Sequence, residues 1–447
     1  MFAALLKRLF GSGRPRAKEH GNRPDPVNPD ACREALRAGN LDVAVDCFRS
    51  HLAGHPDDAA AHNDLGVALQ RLRRYREALD CFETVIQLAP ADADAWYNAG
   101  VIHHLLRDVA RAEDCYGRAI STGTADPEAH RGYSMLRLIR GDFSTDVWSS
   151  FRHRRRCAGF EPSSTGSTAP IWAGEPAEGK TILVYGEQGL GDEIMFASCY
   201  PDLIASTAHC VIETEPRLEA LFRRSFANAT VLGRNRENDL AMCYPSVAYQ
   251  LPCGDLPLYF RSSAADFAGR GPYLKASAEA VERWRATLAG LGPGLKVGIS
   301  WRGGTPKNNQ AGRTIGLKRW IEVLRATDAR FVSLQYGDCS EDIAQARNTL
   351  GIELHHWPEV ITDYDETAAL VSALDLVITV TTSVAHLAGA LGQKTWILVN
   401  AAPRWCYLAS GNSMPWYPTA RLFRQQHAGA WDDTMNQVAR SLAAFRT

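Results

Sequence analysis

The sequence predicts an α-helical repeat array followed by two strand–helix halves, each built on a mainly parallel sheet. Three observations carry this fold class. Small, aromatic and cysteine positions recur every 34 residues between about residues 25 and 124. After a linker-like stretch at 161–170, EPSSTGSTAP, β-rich apolar runs alternate with helical stretches. A second set of such runs starts at Lys296, so the strand–helix region divides in two. At 447 residues the chain has room for about three domains.

The repeat is read from three columns. Ala44, Ala78 and Ala112 are 34 apart, as are Phe48, Phe82 and Tyr116, and Cys47, Cys81 and Cys115. Leu65-Gly66 and Ala99-Gly100 hold equivalent places, and Pro56 and Pro90 close the first two units; the first unit lacks the glycine. A small residue lets two antiparallel helices approach, the aromatic fills the gap, and the proline ends the second helix. This pattern resembles the tetratricopeptide repeat. The repeated cysteines read as small buried packing residues, because spacing of 34 puts them in separate units. A helix over 127–140 and the segment 141–151, with Trp148 and Phe151, read as a cap. The basic run Arg152–Arg156 suits a solvated helix face or a docking patch for an acidic partner.

Composition narrows the function classes. With 49 Lys+Arg against 50 Asp+Glu the formal charge is −1, which offers no whole-chain field for nucleic acid. No stretch of 18 residues is continuously apolar. Eleven scattered cysteines without a Cys-x-x-Cys pair argue against a disulfide framework or zinc ribbon, and for a reducing, cytoplasmic compartment. Residues 1–24 carry a local charge of +5, which reads as a flexible basic tail or as a weak contact with an anionic membrane surface. The expected organisation is therefore tail 1–24, repeats with capping helices 25–160, a first lobe 171–292 and a second lobe 293–447 ending in a helix.

In the first lobe, Thr181–Tyr185 reads as a buried strand, with further strands at Cys210–Glu213 and Thr230–Leu232. The loop Gly186-Glu-Gln-Gly189-Leu-Gly191-Asp192-Glu193 joins the first strand to a helix. Such glycines turn tightly and bring backbone N–H groups near a ligand. Glu213 stands where a dinucleotide fold would place its ribose-binding acid. Ile194, however, occupies the third glycine position, and Asp192 would repel a pyrophosphate. A carboxylate there suits a general base acting on a hydroxyl, with an N-cap as the alternative.

Gly-Leu-Gly-Asp after a strand, with Ser-Val-Ala-His-Leu-Ala-Gly-Ala-Leu-Gly at 383–392, resembles the heptosyltransferase-like GT-B glycosyltransferases. The pattern is nearest to bacterial forms with a tetratricopeptide array, and the architecture is similar to O-GlcNAc transferase. The resemblance covers about residues 25–446 and implies a two-lobed, double Rossmann-like GT-B region in which Asp192 is the catalytic base. It also implies inversion at the anomeric centre.

Second-lobe strands are expected at Lys296–Ser300, Arg330–Gln335, Ile352–Leu354, Leu376–Thr379 and Thr395–Val399. Thr381, Thr382 and Ser383 lie at a helix N-terminus suited to a diphosphate, with His386 on its first turn able to donate to a phosphate oxygen. Capping by Thr382 or Ser383 and a satisfied buried His386 are the alternative. Members of the resembled family usually carry Asp where Thr381 stands, so donor choice or activity could differ. Trp301, Arg302, Lys307 and Arg313 follow the first strand of this lobe, where cations can neutralise a leaving nucleotide diphosphate without a metal. Gln335 and Tyr336 are placed to edge or stack against the base. Trp405 and Met414–Pro418 line the cleft floor, the lobe junction or the core, and the last helix is expected to pack back on the first half.

Together these readings give a glycosyltransferase that takes no cofactor beyond its nucleotide-sugar donor and needs no metal. Asp192 is the base; Gly189, Gly191 and the second-lobe residues bind substrate. The repeat groove takes a protein or peptide acceptor, such as a bacterial surface or flagellar protein. The rival from another class is a non-catalytic scaffold carrying a degenerate lobe pair.

Overall fold

The computed structural model describes residues 28–123, 126–158, 160, 167–234, 247–304 and 311–446. The basic tail and Lys307 lie outside the described residues. Two compact units form: the described residues of Met1–Arg137 with Ser149–Phe160, and those of Leu138–Trp148 with Glu161–Thr447.

The first unit is helical. Paired helices α1 (Pro29–Arg37) and α2 (Leu41–Gly54), α3 (Ala59–Arg71) and α4 (Tyr75–Leu88), and α5 (Ala93–Leu105) and α6 (Val109–Ser121) follow the 34-residue period. Asp58 and Asp92 cap α3 and α5, each accepting a bond from a backbone N–H three residues on. A Cβ on Gly66 would stand 2.6 Å from the Phe82 ring, and one on Gly100 would stand 2.8 Å from the Tyr116 ring. These contacts explain the small-residue and aromatic columns. The period also runs further than the columns suggest. Residues 39, 73, 107 and 141 all have positive φ. Asp126 accepts from the Glu128 N–H just before α7 (Pro127–Leu138), and α8 (Thr145–Phe151) follows. The segment read as a cap thus keeps the register of a fourth helix pair.

One cysteine expectation is corrected. Cys32, which stands in the glycine register of the first repeat, forms a disulfide with Cys47. The other described cysteines are free and buried. The pair joins adjacent antiparallel helices at residues 15 apart, a separation that no short motif marks. With it formed, cysteine usage no longer argues for a reducing compartment. Among the described residues no helix is long and apolar enough to cross a membrane.

The second unit holds two sheets. Strands β1 (Thr181–Tyr185), β2 (His209–Thr214), β3 (Thr230–Gly233) and β4 (Val247–Pro252) form a parallel sheet in the order β3-β2-β1-β4. A seven-stranded sheet comprises β5 (Lys296–Ser300), β6 (Arg330–Ser333), β7 (Leu354–His355), β8 (Leu376–Val380), β9 (Thr395–Val399), β10 (Ser413–Met414) and β11 (Tyr417–Arg424). Its order is β10-β11-β9-β8-β5-β6-β7, parallel except for the β10–β11 pair. Strands β8 and β9 are buried along their whole length, as continuous apolar runs covered on both faces should be.

Two helices fall elsewhere than expected. The C-terminal helix, Asp432–Ala443, packs Met435, Val438 and Leu442 into the core of the seven-stranded sheet, not back on the first half. The helix Ala278–Ala289, assigned to the first lobe, makes its polar contacts with the second: Trp284 Nε1 and Arg283 Nη2 both donate to the Glu366 carboxylate.

Candidate functional site

The helix α9 (Leu190–Phe196) leaves the carboxyl end of β1, and α10 (Ser383–Ala390) leaves that of β8. They meet closely. A Cβ on Gly191 would lie 3.0 Å from His386 Cδ2 and 3.4 Å from Ser383 Cα. Gly191 is therefore needed for the approach of the two helices. Gly189 is the N-cap of α9 in extended backbone, where a Cβ would touch only Asp192 at 3.9 Å. Because Gly189 is the cap, Asp192 is not, which removes the capping alternative.

The two neighbouring acids of α9 separate. Glu193 turns to the sheet, accepting from Thr214 Oγ1 at 2.8 Å, from the Glu215 N–H at 2.9 Å and from Arg234 Nη2 at 2.9 Å. A Cβ on Gly186 would overlap that carboxylate, which accounts for the glycine. Arg234 also donates to Glu213 at 3.0 Å. Burial raises the Glu213 pKa even beside this cation. The acid weighed as a ribose ligand is thus engaged inside its own lobe.

Asp192 faces the other way. Its Oδ1 accepts from Arg404 Nη2 at 2.6 Å. Arg404 follows β9, and the Asp192 charge above all holds its pKa higher than that of an ordinary guanidinium. Arg313 lies in the same electrostatic neighbourhood. It donates from Nε to Thr381 Oγ1 at 3.2 Å and from Nη2 to the Thr381 carbonyl. Burial, and then the Arg404 charge, lower its pKa. Arg404 thus pairs with the Asp192 carboxylate, and Arg313 lies within electrostatic reach of both.

His386 corrects an expectation. Its Nδ1 is 3.0 Å from the Tyr417 hydroxyl and its Nε2 is 3.3 Å from the Tyr407 hydroxyl. Both ring nitrogens are occupied by tyrosines, so neither is left to donate to a phosphate oxygen. Burial, with help from Arg404 and Arg313, pushes its pKa down to about 3 against the opposing pull of Asp192. The ring is neutral near pH 7.

Other expected residues are placed as follows. Thr382 caps α10, accepting from the Val384 N–H at 3.2 Å, while half-buried Ser383 begins the helix. The Trp301 side chain is fully buried in the second core, with Nε1 donating to Asp342 at 3.0 Å, so it cannot line a binding surface. Gln335 is corrected in the same way. Its Oε1 accepts from the Trp301 and Arg302 N–H groups at 3.0 and 2.8 Å, which staples the end of β5 to that of β6. Arg302 turns to the loop after β6, donating to the Asp338 carbonyl and lying 3.4 Å from Asp342. Tyr336 is 40% exposed, and its hydroxyl donates to the Gly304 carbonyl. The structure thus brings Gly191, Asp192, Arg313, Thr381, Ser383 and His386 together. Arg404 and Tyr407, not singled out from sequence, complete the cluster with Tyr417, which belongs to the Met414–Pro418 run read as cleft floor, lobe junction or core. A search of the loops at the carboxyl ends of parallel strands would have reached Arg404.

The family match bears on the helical part. Residues 30–74 and 63–130 match the tetratricopeptide repeat family. Residues 30–130 carry tetratricopeptide repeats. Protein FlbA of Caulobacter vibrioides (strain ATCC 19089 / CIP 103742 / CB 15) is 35% identical over 289 residues, covering 61% of this chain. The chain spans about half of that relative's length, 48%. Among solved structures, MamA is 20% identical over 30% of this chain and 79% of its own, with a TM-score of 0.27. YrrB, a tetratricopeptide protein with an unusual peptide-binding site, is 20% identical over 30% of this chain and 70% of its own, with a TM-score of 0.27.

Proposed function

We propose that the chain is a GT-B-type glycosyltransferase that moves a sugar from a nucleotide-sugar donor to a hydroxyl of a protein or glycan acceptor chosen by the repeats. The observation carrying this reading is the excess positive charge around Asp192. Arg404 pairs with this carboxylate, Arg313 lies within electrostatic reach of both, and His386 is neutral. A diphosphate anion suits that charge, and guanidiniums supply it without a metal. Asp192 takes the proton of the acceptor hydroxyl as its oxygen bonds to the anomeric carbon. The bond from that carbon to the phosphate oxygen breaks, and the nucleoside diphosphate leaves with the electron pair. A single displacement of this kind inverts the anomeric centre.

Titration calorimetry with a panel of nucleoside diphosphates in EDTA tests the donor site, and binding of at least one is expected. Asp192→Asn keeps the shape without a basic carboxylate and should lower turnover by about 10²–10⁴. The folded protein failing to bind any nucleoside diphosphate would favour the scaffold reading, on which the pairing of Asp192 with Arg404 is purely structural.

A further inference from the structure

Arg404 and Asp192 come from opposite sheets of the second unit, and the surroundings of their ion pair are uneven. The Asp192 side chain is 11% exposed and that of Arg404 is 38% exposed. Among the described residues Asp192 is the one side-chain acceptor for Arg404, through a single N–H. The remaining Arg404 guanidinium N–H groups have no acceptor among the described residues. Arg313 stands nearby, held by the neutral oxygens of Thr381, which fix its direction without cancelling its charge. An anion arriving here meets two cations, one of them already shared with a carboxylate that repels it.

Building on the donor-site reading above, we propose that Arg404 is an exchangeable clamp. It holds the Asp192 carboxylate in the present structure and passes to the diphosphate of an arriving donor, so that donor binding frees Asp192 to accept a proton. No covalent step is involved. One charge-assisted contact replaces another, and the base is uncovered only when a donor is present.

The test uses the full-length chain and inorganic pyrophosphate, titrated in EDTA against the parent and four variants. Arg404→Gln should weaken binding about tenfold or more. Arg404→Lys, which keeps the charge and protects the experiment against a folding defect, should fall between the two. Asp192→Asn should bind about threefold or more tightly, because Arg404 no longer has to leave a partner. The double variant Asp192→Asn/Arg404→Gln decides the mechanism. If Asp192 acts by competing for Arg404, its removal gains nothing once Arg404 is absent. A gain that persists in the double variant is plain repulsion of the anion, and it overturns the clamp while leaving the donor site intact. An Asp192→Asn protein that binds no more tightly than the parent has the same consequence. A folded parent that binds neither pyrophosphate nor any nucleoside diphosphate overturns both the clamp and the donor site.

Discussion

On α9, Glu193 is spent on holding the helix against Thr214 and Arg234, and this fixes the direction in which Asp192 can point. Thr381 works in a comparable way on Arg313, since a neutral carbonyl and hydroxyl orient the guanidinium and leave its charge for another partner. Thr381→Asp should therefore keep the geometry but neutralise Arg313, lowering pyrophosphate affinity by about tenfold, the scale of one charge-assisted bond. Calorimetry on the folded variant checks this, and unchanged affinity would take Arg313 out of the anion site. His386 gives a prediction in pH. Its pKa is held down to about 3 in the fold, against about 6.5 when exposed. Between those values the unfolded chain binds a proton that the folded chain does not. The contribution is whole above pH 6.5 and drains away as pH falls towards 3. His386→Gln should therefore flatten the loss of stability on acidification by up to about 1.4 kcal/mol per pH unit. Denaturant unfolding at pH 7.5, 6 and 5 reads this directly, and an unaltered slope would contradict it. Asp192 was legible because a glycine-rich turn after a buried strand restricts what its neighbours can do. The sealing of His386 stood only as the alternative reading, because its partners Tyr407 and Tyr417 reach it from 21 and 31 residues away.

Among the elements, strands buried on both faces were the easiest to read. β1, β5 and β9 coincide with their apolar runs in the sequence. β4 and β11 were missed for a physical reason. β4 is an edge strand, half-buried over its first four residues, and β11 carries Pro418 and exposed Arg421, so neither shows a continuous apolar run. In the repeats the columns were legible because Gly66 and Gly100 each admit one aromatic ring. The Cys32–Cys47 disulfide was not, since it depends on Cys32 standing in the glycine register of a helix whose columns are weak. Its loop of 15 residues corresponds to about 3 kcal/mol of restricted unfolded-chain entropy. In a repeat array that stabilisation acts mainly on the units it joins. Reduction should therefore speed amide exchange in α1 and α2 while α5 and α6 stay protected. Mass-spectrometric hydrogen exchange with and without reductant measures both, and uniform loss across the array would show that the repeats unfold as one block.

For the whole molecule, linker composition drew the boundary near residues 161–170, whereas the structure assigns Leu138–Trp148 to the unit that holds the two sheets. The reason lies in aromatic packing that sequence spacing does not reveal. The Phe143 ring is 4.8 Å from that of Phe267, and Trp148 is 5.7 Å from Trp405. Trp148 Nε1 donates to the Arg261 carbonyl at 2.8 Å, and the Ala409 N–H donates to the Ile139 carbonyl at 2.7 Å. Trp405, read as core or cleft lining, is one of the residues this segment covers. Two truncations separate the alternatives. A chain beginning at Leu138 keeps these contacts, so its α/β unit should unfold at the parent's denaturant concentration and bind nucleoside diphosphate with parental affinity, while losing modification of a protein acceptor chosen by the repeats. A chain beginning at Glu161 loses Phe143 and Trp148 together. Removing a buried Trp costs about 3–5 kcal/mol, so this second chain should unfold at clearly lower denaturant. Equal stability of the two would mean that residues 138–148 merely rest on the sheets and that the composition boundary was the true one. A marked difference would make the segment Leu138–Trp148 a structural part of the α/β unit, so that excising the repeats cleanly requires a cut before Leu138.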